Sequence, residues 1–349
     1  MKGVIIISQG EKNTGINKYA INTYNAMDGY AELFFIKFRM NQGFYDFGNI
    51  IDGRFQYGDS ILNLNSLFPK ISYSKFVKFL KKQKISNKIL HVASPHVLNL
   101  IPGFDNIVTI HDLVPLTNYH SDGIEYLIMR KFYKHYLKYR NILTVSDHVK
   151  KMIIDMGVEG KVDHIYPYVS DNFFQMNQKV NLRKKYGLPE DKKLILSVSS
   201  NIKRKNLKLL PEMLSILGSE YKLVRVGERI GASYSFKLRD EKEMNEIYNA
   251  CDVLVSPSIY EGFGYPVVEG LKSGISLAVS DIPVHREIAD RYAVYFDPSS
   301  AKDSAKAVRE ALDSQDKNCC IPVNWMTKFS LNTFKIHIKN YYNNIEKKD

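Results

Sequence analysis

Residues 256–274 read SPSIYEGFGYPVVEGLKSG and form the most informative stretch of the chain. The stretch follows a short apolar run, and its glycines and proline predict a strand, a tight turn and then a helix. Pro266 suits the first position of that helix, where its missing N–H costs nothing, and Gly274 suits the C-terminal cap. Because free backbone N–H groups at a helix N-terminus attract anions, the turn at Gly264 predicts a phosphate site.

Two glutamates flank this predicted anion site. Glu261 lies in the glycine-rich turn, and Glu269 lies one turn inside the predicted helix. Carboxylates repel phosphate, but each can accept hydrogen bonds from sugar or ribose hydroxyls. We therefore expect the stretch to bind a phosphorylated sugar or a nucleotide. The alternative is a strand–turn–helix unit that carries two solvated glutamates.

A second cluster, SSNIKRKN at residues 199–206, follows the apolar run Leu194–Val198. Open parallel sheets bind ligands at the carboxyl ends of their strands, which is where this cluster would lie. The cluster carries Lys203, Arg204 and Lys205, and a pair of cations there fits a diphosphate leaving group. A basic loop in a basic protein is the simpler alternative.

The first half of the chain carries two weaker signals. Gly15 stands between the first apolar run and a helical stretch, in the position of a phosphate-binding loop. His111 follows the apolar run Ile107–Ile110, so it would lie at the end of a strand, with Asp112 beside it. Taken alone, each pattern is more often structural than functional.

Short apolar runs alternate with longer amphipathic stretches throughout the chain, which is typical of parallel α/β units. Residues 166–190 mix proline, glycine and charge with little periodicity and predict the domain junction. We therefore expect two doubly wound α/β domains, followed by a basic helix at 326–349. The predicted strands are Val4–Ser8, Ala31–Phe38, Ile89–Val92, Ile107–Ile110, Ile142–Val145, Leu194–Val198, Tyr221–Val226, Val253–Val255 and Ser276–Val279.

Composition sets further limits on the class of protein. The 349 residues are 44% hydrophobic, enough for about two cores, and no apolar run approaches the ~18 residues of a membrane span. The three cysteines, Cys251, Cys319 and Cys320, match no metal-site spacing and predict reduced thiols in a cytoplasmic protein. The net charge of +12 indicates anionic partners. Because the excess is spread over both halves, nucleic acid is not the expected partner.

Together these motifs resemble glycosyltransferase family 4, the retaining, nucleotide-sugar-dependent enzymes of the GT-B fold. The E-x7-E motif, from Glu261 to Glu269, is the most specific part of the resemblance. Four other stretches add to it: RKN at 204–206, SG-x-SLAVSDIP-x-x-REIAD at 273–290, IHDL at 110–113 and TVSDHVKKMI at 144–153.

The family implies the GT-B architecture, in which two Rossmann-like doubly wound domains face each other across a cleft. Residues 1–170 would form the acceptor domain and residues 171–325 the nucleotide-sugar (donor) domain. The helix at 326–349 would pack back towards the first domain.

The resemblance also assigns roles to residues of the second half. Lys205 and Arg204 would bind the donor diphosphate, Glu269 would hold the nucleotide ribose, and Glu261 would face the donor sugar. Backbone N–H groups near the sugar or phosphate would come from Phe263, Gly264 and Tyr265.

In the first half, the resemblance places Gly15 near the donor phosphates and His111 beside the transferred sugar. The sequence departs from the family at several places, one of which is the absence of an arginine that is frequent close behind the first strand of the second domain. Ser199 and Ser200 stand where a glycine is usual, Tyr265 replaces a commoner leucine, and Lys272 replaces a small residue. These departures concern the details of donor contact.

The expected reaction is transfer of a mannose-like or glucose-like hexose, with retention, from a GDP- or UDP-sugar, GDP being preferred. The acceptor would be a glycan, a lipid-linked molecule or another hydroxyl compound in cell-surface polysaccharide or glycolipid synthesis. No divalent metal is expected, since basic side chains and a helix N-terminus neutralise the leaving diphosphate. Alternatives are a sugar phosphorylase or a nucleotide-sugar epimerase on the same fold, or a non-catalytic basic binding protein.

One amphipathic stretch bears on where the protein works. In SYSKFVKFLKKQK, residues 72–84, apolar residues recur at helical spacing, and Lys75, Lys78 and Lys82 fall on the opposite face. A core-facing stripe with solvated lysines is the simpler interpretation. The alternative is reversible contact with an anionic membrane, which would make this a peripheral protein of the inner face of the cell membrane.

Overall fold

The computed structural model describes residues 4–9, 15–39, 44–49, 89–93, 105–117, 130, 133–134, 136–313 and 323–346. The chain divides into two compact units. Unit 1 comprises residues 1–117, 122–168 and 332–349, and unit 2 comprises residues 118–121 and 169–331. Each unit has its own sheet with helices packed against it, so the predicted α/β class with two Rossmann-like domains is confirmed.

Unit 1 is built on a sheet with the strand order β3-β2-β1-β4-β5-β6-β7 among the described residues. Neighbouring strands are parallel, except that β3 pairs antiparallel with β2 at the edge. The strands are β1 (Val4–Gln9), β2 (Ala31–Arg39), β3 (Phe44–Asn49), β4 (Ile89–Val92), β5 (Asp105–Ile110), β6 (Asn141–Thr144) and β7 (Lys161–His164). The helices α1 (Gly15–Ala26) and α2 (Asp147–Asp155) follow β1 and β6.

Unit 2 is built on a parallel sheet with the order β10-β9-β8-β11-β12-β13, the doubly wound order of a Rossmann domain. Its strands are β8 (Lys193–Val198), β9 (Tyr221–Val226), β10 (Tyr234–Phe236), β11 (Val253–Ser256), β12 (Ser276–Ser280) and β13 (Val294–Phe296). Its helices are α3 (Lys179–Lys185), α4 (Leu209–Leu217), α5 (Glu241–Ala250), α6 (Tyr265–Ser273), α7 (Pro283–Ala289), α8 (Ala301–Asp313) and α9 (Val323–Thr327).

The core of unit 2 explains why its apolar runs could be recognised in the sequence. Central strands such as β11 and β12 are buried over almost their whole length, because helices cover both faces of a parallel sheet. All the predicted strands are present. The edge strands β3, β7, β10 and β13 were not predicted, because they are short or carry polar residues.

The predicted junction at 166–190 is more ordered than its composition indicates, because it contains α3. Arg183 on this helix is buried and pairs with Asp252 at 2.7 Å, and its Nε donates to the Ala250 carbonyl at 2.9 Å. These partners lie far along the sequence, so local periodicity carries no sign of them. The structure therefore joins α3 to unit 2 and divides the chain between residues 168 and 169.

The C-terminal helix α10 (Leu331–Glu346) contributes residues from 332 onward to unit 1. Its Tyr342 hydroxyl lies 2.5 Å from Nδ1 of the buried His91, whose Nε2 lies 2.6 Å from the Thr109 hydroxyl. Burial lowers the pKa of His91 to about 3, so this histidine is neutral and serves as a structural bridge between α10 and the sheet.

Several predictions fall outside the described residues: the helix at 72–84 with Lys75, Lys78 and Lys82, and the cysteines Cys319 and Cys320. The anionic-membrane contact therefore stays a prediction. Within the described ranges, no helix combines the length and the apolar character needed to cross a membrane.

Candidate functional site

The turn between β11 and α6 has the conformation that its glycines predict. Gly264 is left-handed, with φ at +88°, and caps the N-terminus of α6, while Gly274 ends the helix at +71°. A Cβ at position 264 would lie 3.2 Å from the Ile288 side chain, so a larger residue would meet both strain and crowding. The helix begins at Tyr265, which places Pro266 in its first turn.

Glu261 lies at the centre of a buried ion cluster, defined here as Glu261, Arg204, Lys205 and Ser258. The glutamate is only 5% exposed, which excludes the solvated alternative. Its carboxylate accepts hydrogen bonds from Arg204 at 2.6 Å and from the Ser258 hydroxyl at 2.7 Å, and it also pairs with the Lys205 ammonium. The structure thus brings together three of the predicted site residues and adds Ser258.

The electrostatics of the cluster keep Glu261 ionised. Burial raises the pKa of this carboxyl, but Lys205 and Arg204 outweigh burial and lower the pKa to about 2. Two cations face one carboxylate, so the cluster retains a net positive charge. Such a cluster can attract an anion while it keeps its own carboxylate hydrogen-bonded.

The loop that carries the two cations is tied directly to the glycine-rich turn. Residues 203–205 form one turn of 3-10 helix after β8. The Ile259 amide donates to the Arg204 carbonyl at 2.9 Å, and the Arg204 guanidinium donates to the Tyr260 carbonyl at 3.2 Å. The Asn206 side chain donates to the Pro298 carbonyl at 2.7 Å. These contacts fix the cations relative to Glu261.

A buried arginine that the sequence analysis missed supports the start of this loop. Arg225 on β9 is fully buried and donates to the Ser199 carbonyl at 2.7 Å and to the Ser197 hydroxyl at 3.0 Å. Ser199 stands at a position where the resembled family usually has glycine. A single arginine inside the apolar run YKLVRV was the available signal.

Glu269 occupies a different environment on α6. It is 7% exposed and accepts a hydrogen bond from the Tyr248 hydroxyl on α5 at 2.9 Å. Burial, followed by the nearby Glu269 charge, raises the pKa of Tyr248 well above its usual value, so the phenol keeps its proton. The tyrosine therefore orients one oxygen of the carboxylate.

Gly15 and His111 belong to unit 1, whereas the Glu261 cluster belongs to unit 2. Gly15 is the first residue of α1. His111 follows β5 and is buried, with Nε2 at 2.7 Å from the Ala93 carbonyl, so Nε2 carries a proton. The edge of Tyr19 packs against its ring, with centroids 5.3 Å apart.

In the ranges given above, no group of three or more His, Cys, Asp or Glu side chains is placed to hold a metal ion.

Residues 178–320 match the family Glycosyl transferases group 1. This region contains Arg204, Lys205, Glu261 and Glu269, and with them the whole ion cluster. The match supports a glycosyltransferase, and it covers the part of unit 2 in which the buried carboxylates and cations lie.

Curated relatives carry related names. The chain is 27% identical over 261 residues to the O-antigen chain mannosyltransferase RfbU of Salmonella typhimurium, which is 68% of this chain and 69% of that protein. It is 29% identical over 206 residues to the O-antigen biosynthesis glycosyltransferase WclY of Escherichia coli, 53% of this chain and 56% of that one. The chain thus spans between about half and about two thirds of these relatives.

Solved structures match nearly the whole chain. Alr3699/HepE from Anabaena, determined in complex with UDP-glucose, has a TM-score of 0.74 at 12% identity and covers 98% of this chain and 99% of that one. Such neighbours are GT-B proteins, so the predicted GT-B fold class is confirmed. The family 4 assignment and the roles of individual residues stay predictions.

Proposed function

We propose that the protein is a retaining glycosyltransferase of family 4 that transfers a hexose from a nucleotide-diphosphate sugar to a glycan or lipid-linked hydroxyl. The observation that carries the proposal is the buried Glu261, held by Arg204 and Lys205 inside the region that matches group 1 glycosyl transferases. The names of RfbU and WclY favour a place in O-antigen or other cell-surface polysaccharide synthesis.

The cluster suits the two parts of the donor that an active site must hold, the charged diphosphate and the sugar hydroxyls. The donor diphosphate would approach Arg204, Lys205 and the N-terminus of α6, which offer positive charge and the positive end of the helix dipole. Glu261 would accept hydrogen bonds from hydroxyls of the donor sugar, and Glu269 from the nucleotide ribose.

In the proposed reaction the acceptor oxygen forms a bond to the anomeric carbon on the face from which the diphosphate leaves. The bond between that carbon and the diphosphate oxygen breaks, and the acceptor proton passes to a phosphate oxygen. Retention of configuration follows from attack on the same face. We propose that unit 1, with His111 and Gly15, is the acceptor domain.

The donor is proposed to be a GDP- or UDP-sugar. The name of RfbU favours mannose, and the complex of HepE with UDP-glucose favours uridine. A panel of nucleotide sugars assayed for slow hydrolysis, together with melting shifts for UDP, GDP and ADP, distinguishes these donors. Turnover of a glycoside with inorganic phosphate would instead indicate a phosphorylase. Interconversion of two nucleotide sugars would indicate an epimerase, and binding without turnover would indicate a binding protein.

A first prediction concerns metals. If Arg204, Lys205 and the α6 N-terminus neutralise the diphosphate, transfer activity should survive exhaustive chelation. The measurement is the initial rate of transfer in EDTA, with and without added Mg²⁺ or Mn²⁺. Loss of the rate in EDTA and its return with either metal contradicts the arrangement.

A second prediction concerns Glu269. Glu269→Gln should weaken nucleoside diphosphate binding by roughly tenfold or more, because a hydrogen bond to a charged group is lost. Tyr248→Phe is the matched variant, since it keeps the carboxylate and removes the hydroxyl that faces both Glu269 and the Pro266 carbonyl. Titration calorimetry should show a smaller loss for Tyr248→Phe. Wild-type affinity in Glu269→Gln would remove Glu269 from the nucleotide site.

A further inference from the structure

His285 on α7 has an assignable tautomer. The side chain is fully buried, and its Nδ1 lies 2.9 Å from the Ser280 carbonyl oxygen and 3.1 Å from the Ser280 hydroxyl. A carbonyl oxygen only accepts hydrogen bonds, so Nδ1 carries the proton. Burial lowers the pKa of His285 to about 4, and the neutral ring therefore presents Nε2 as a bare acceptor.

That acceptor has no hydrogen-bond partner among the described residues. Buried polar side-chain atoms are nearly always paired, so an unpaired ring nitrogen indicates a role in binding. The ring was not singled out from the sequence, where position 285 is one of the unspecified positions of the stretch SG-x-SLAVSDIP-x-x-REIAD.

Nε2 is aimed at the glycine turn that begins α6. A Cβ at Gly264 would lie 3.8 Å from Nε2 and 3.7 Å from the neighbouring ring carbon. Because position 264 is glycine, no side chain of the turn stands in front of the ring.

His285 also belongs to the same hydrogen-bonded network as the ion cluster. The Ser280 hydroxyl, which faces Nδ1, donates to the Ser258 carbonyl, and the Ser258 hydroxyl donates to Glu261. The turn thus carries the Gly264 backbone N–H as a donor and the His285 Nε2 atom as an acceptor.

A backbone N–H donor and the Nε2 acceptor together distinguish phosphate oxygens from sugar hydroxyls. A diphosphate oxygen at neutral pH only accepts hydrogen bonds, so it can use the N–H groups but cannot satisfy Nε2. A hydroxyl can accept from an N–H group and donate to Nε2 at once. Sugar hydroxyls therefore match the turn better than phosphate does.

We propose that His285 is a specificity-determining residue of the donor site, whose Nε2 accepts a hydrogen bond from one hydroxyl of the transferred sugar at the Gly264 turn. The inference rests on the proposed function. Because the turn covers Nε2, binding of the sugar includes a small outward shift of the turn, which its glycines permit.

Two matched variants test the proposal. In His285→Asn the amide stands near Nδ1 and keeps a donor for Ser280, but the acceptor at Nε2 is lost. In His285→Gln the amide oxygen stands near Nε2 and restores that acceptor. Calorimetry with UDP-glucose against UDP, and with GDP-mannose against GDP, separates contact with the sugar from contact with the nucleotide.

We expect His285→Asn to lose roughly tenfold or more in affinity for the nucleotide sugar, the order of one hydrogen bond, and to bind the free diphosphate as the wild type does. His285→Gln should recover much of the loss. Monodeoxy derivatives of the sugar should identify the hydroxyl: the wild type discriminates against one of them, and His285→Asn does not.

Equal losses for sugar nucleotide and free diphosphate, or no loss, overturn the role of His285. Should His285→Asn fail to fold, the wild-type protein carries the test with the monodeoxy sugar nucleotides. Weaker binding of one of them supports the contact with Nε2, and equal binding of all of them contradicts the proposal. A wild-type protein that binds no nucleotide sugar contradicts the proposed function itself, and the role of His285 with it.

Discussion

Glu261→Gln is expected to lower kcat by roughly 10²-fold while it tightens binding of the free nucleoside diphosphate. Turnover falls because the donor sugar loses the carboxylate that orients it. Affinity for the diphosphate rises because Arg204 and Lys205, now paired with Glu261, would be released to bind the anion. We expect a gain of about tenfold, the order of one hydrogen bond between charged groups.

The measurements are kcat with the donor identified by the panel and the Kd of UDP and GDP by calorimetry. Glu269→Gln is the matched control on the same helix–turn unit, and it changes nucleotide affinity in the opposite direction. If both variants lower the affinity for the free diphosphate to the same extent, Glu261 does not compete with the phosphates for Arg204 and Lys205.

The same variant should change the acid stability of the protein. The pKa of Glu261 is lowered from 4.5 to about 2 on folding, so the carboxylate contributes stability above pH 4.5. That contribution is lost as the pH falls from about 4.5 towards 2. Glu261→Gln should lack this part of the acid-unfolding profile, and fluorescence-monitored unfolding between pH 5 and pH 2 provides a control that does not depend on activity.

Much of the fold could be predicted because its causes are local. Apolar runs of four to six residues predict strands that are buried on both faces, as β8, β11 and β12 are. The turn before α6 could be predicted because a left-handed cap favours glycine at position 264. The edge strand β10 could not, because it is only three residues long, is partly exposed and lacks a continuous apolar signal.

The candidate site shows the same limit. The residue types at Arg204, Lys205 and Glu261 were visible in the sequence, but their pairing joins positions 56 and 57 residues apart. The hydrogen bond of Tyr248 to Glu269 and the orientation of the His285 ring likewise depend on how helices pack on the sheet. Such contacts leave no periodic trace in the sequence, so residues that support a site are harder to find than those at its centre.

Lys205→Ala is expected to lower kcat by roughly 10²–10³-fold, as when one preorganised charge-stabilising group is removed from an active site. Lys205 lies in the loop after β8 and is mostly buried, at 13% side-chain exposure. Its ammonium pairs with Glu261. In the reaction it would stabilise the charge that develops on the leaving diphosphate. Glu261 keeps Arg204 and Ser258 as partners, so the cluster should still fold.

Lys203→Ala is the matched control for Lys205→Ala, because Lys203 is an exposed lysine on the same turn. Lys203→Ala should lower kcat only slightly, and any such decrease should disappear at high salt, since exposed charges are screened. The loss in Lys205→Ala should persist in salt. Lys205 and Glu261 contact each other, so their effects on kcat are coupled. The fold-decrease in kcat of the double variant should therefore be smaller than the product of the fold-decreases of Lys205→Ala and Glu261→Gln. Equal losses in the two lysine variants, or near-wild-type activity in Lys205→Ala combined with Glu269→Ala, would remove the donor site from this part of unit 2.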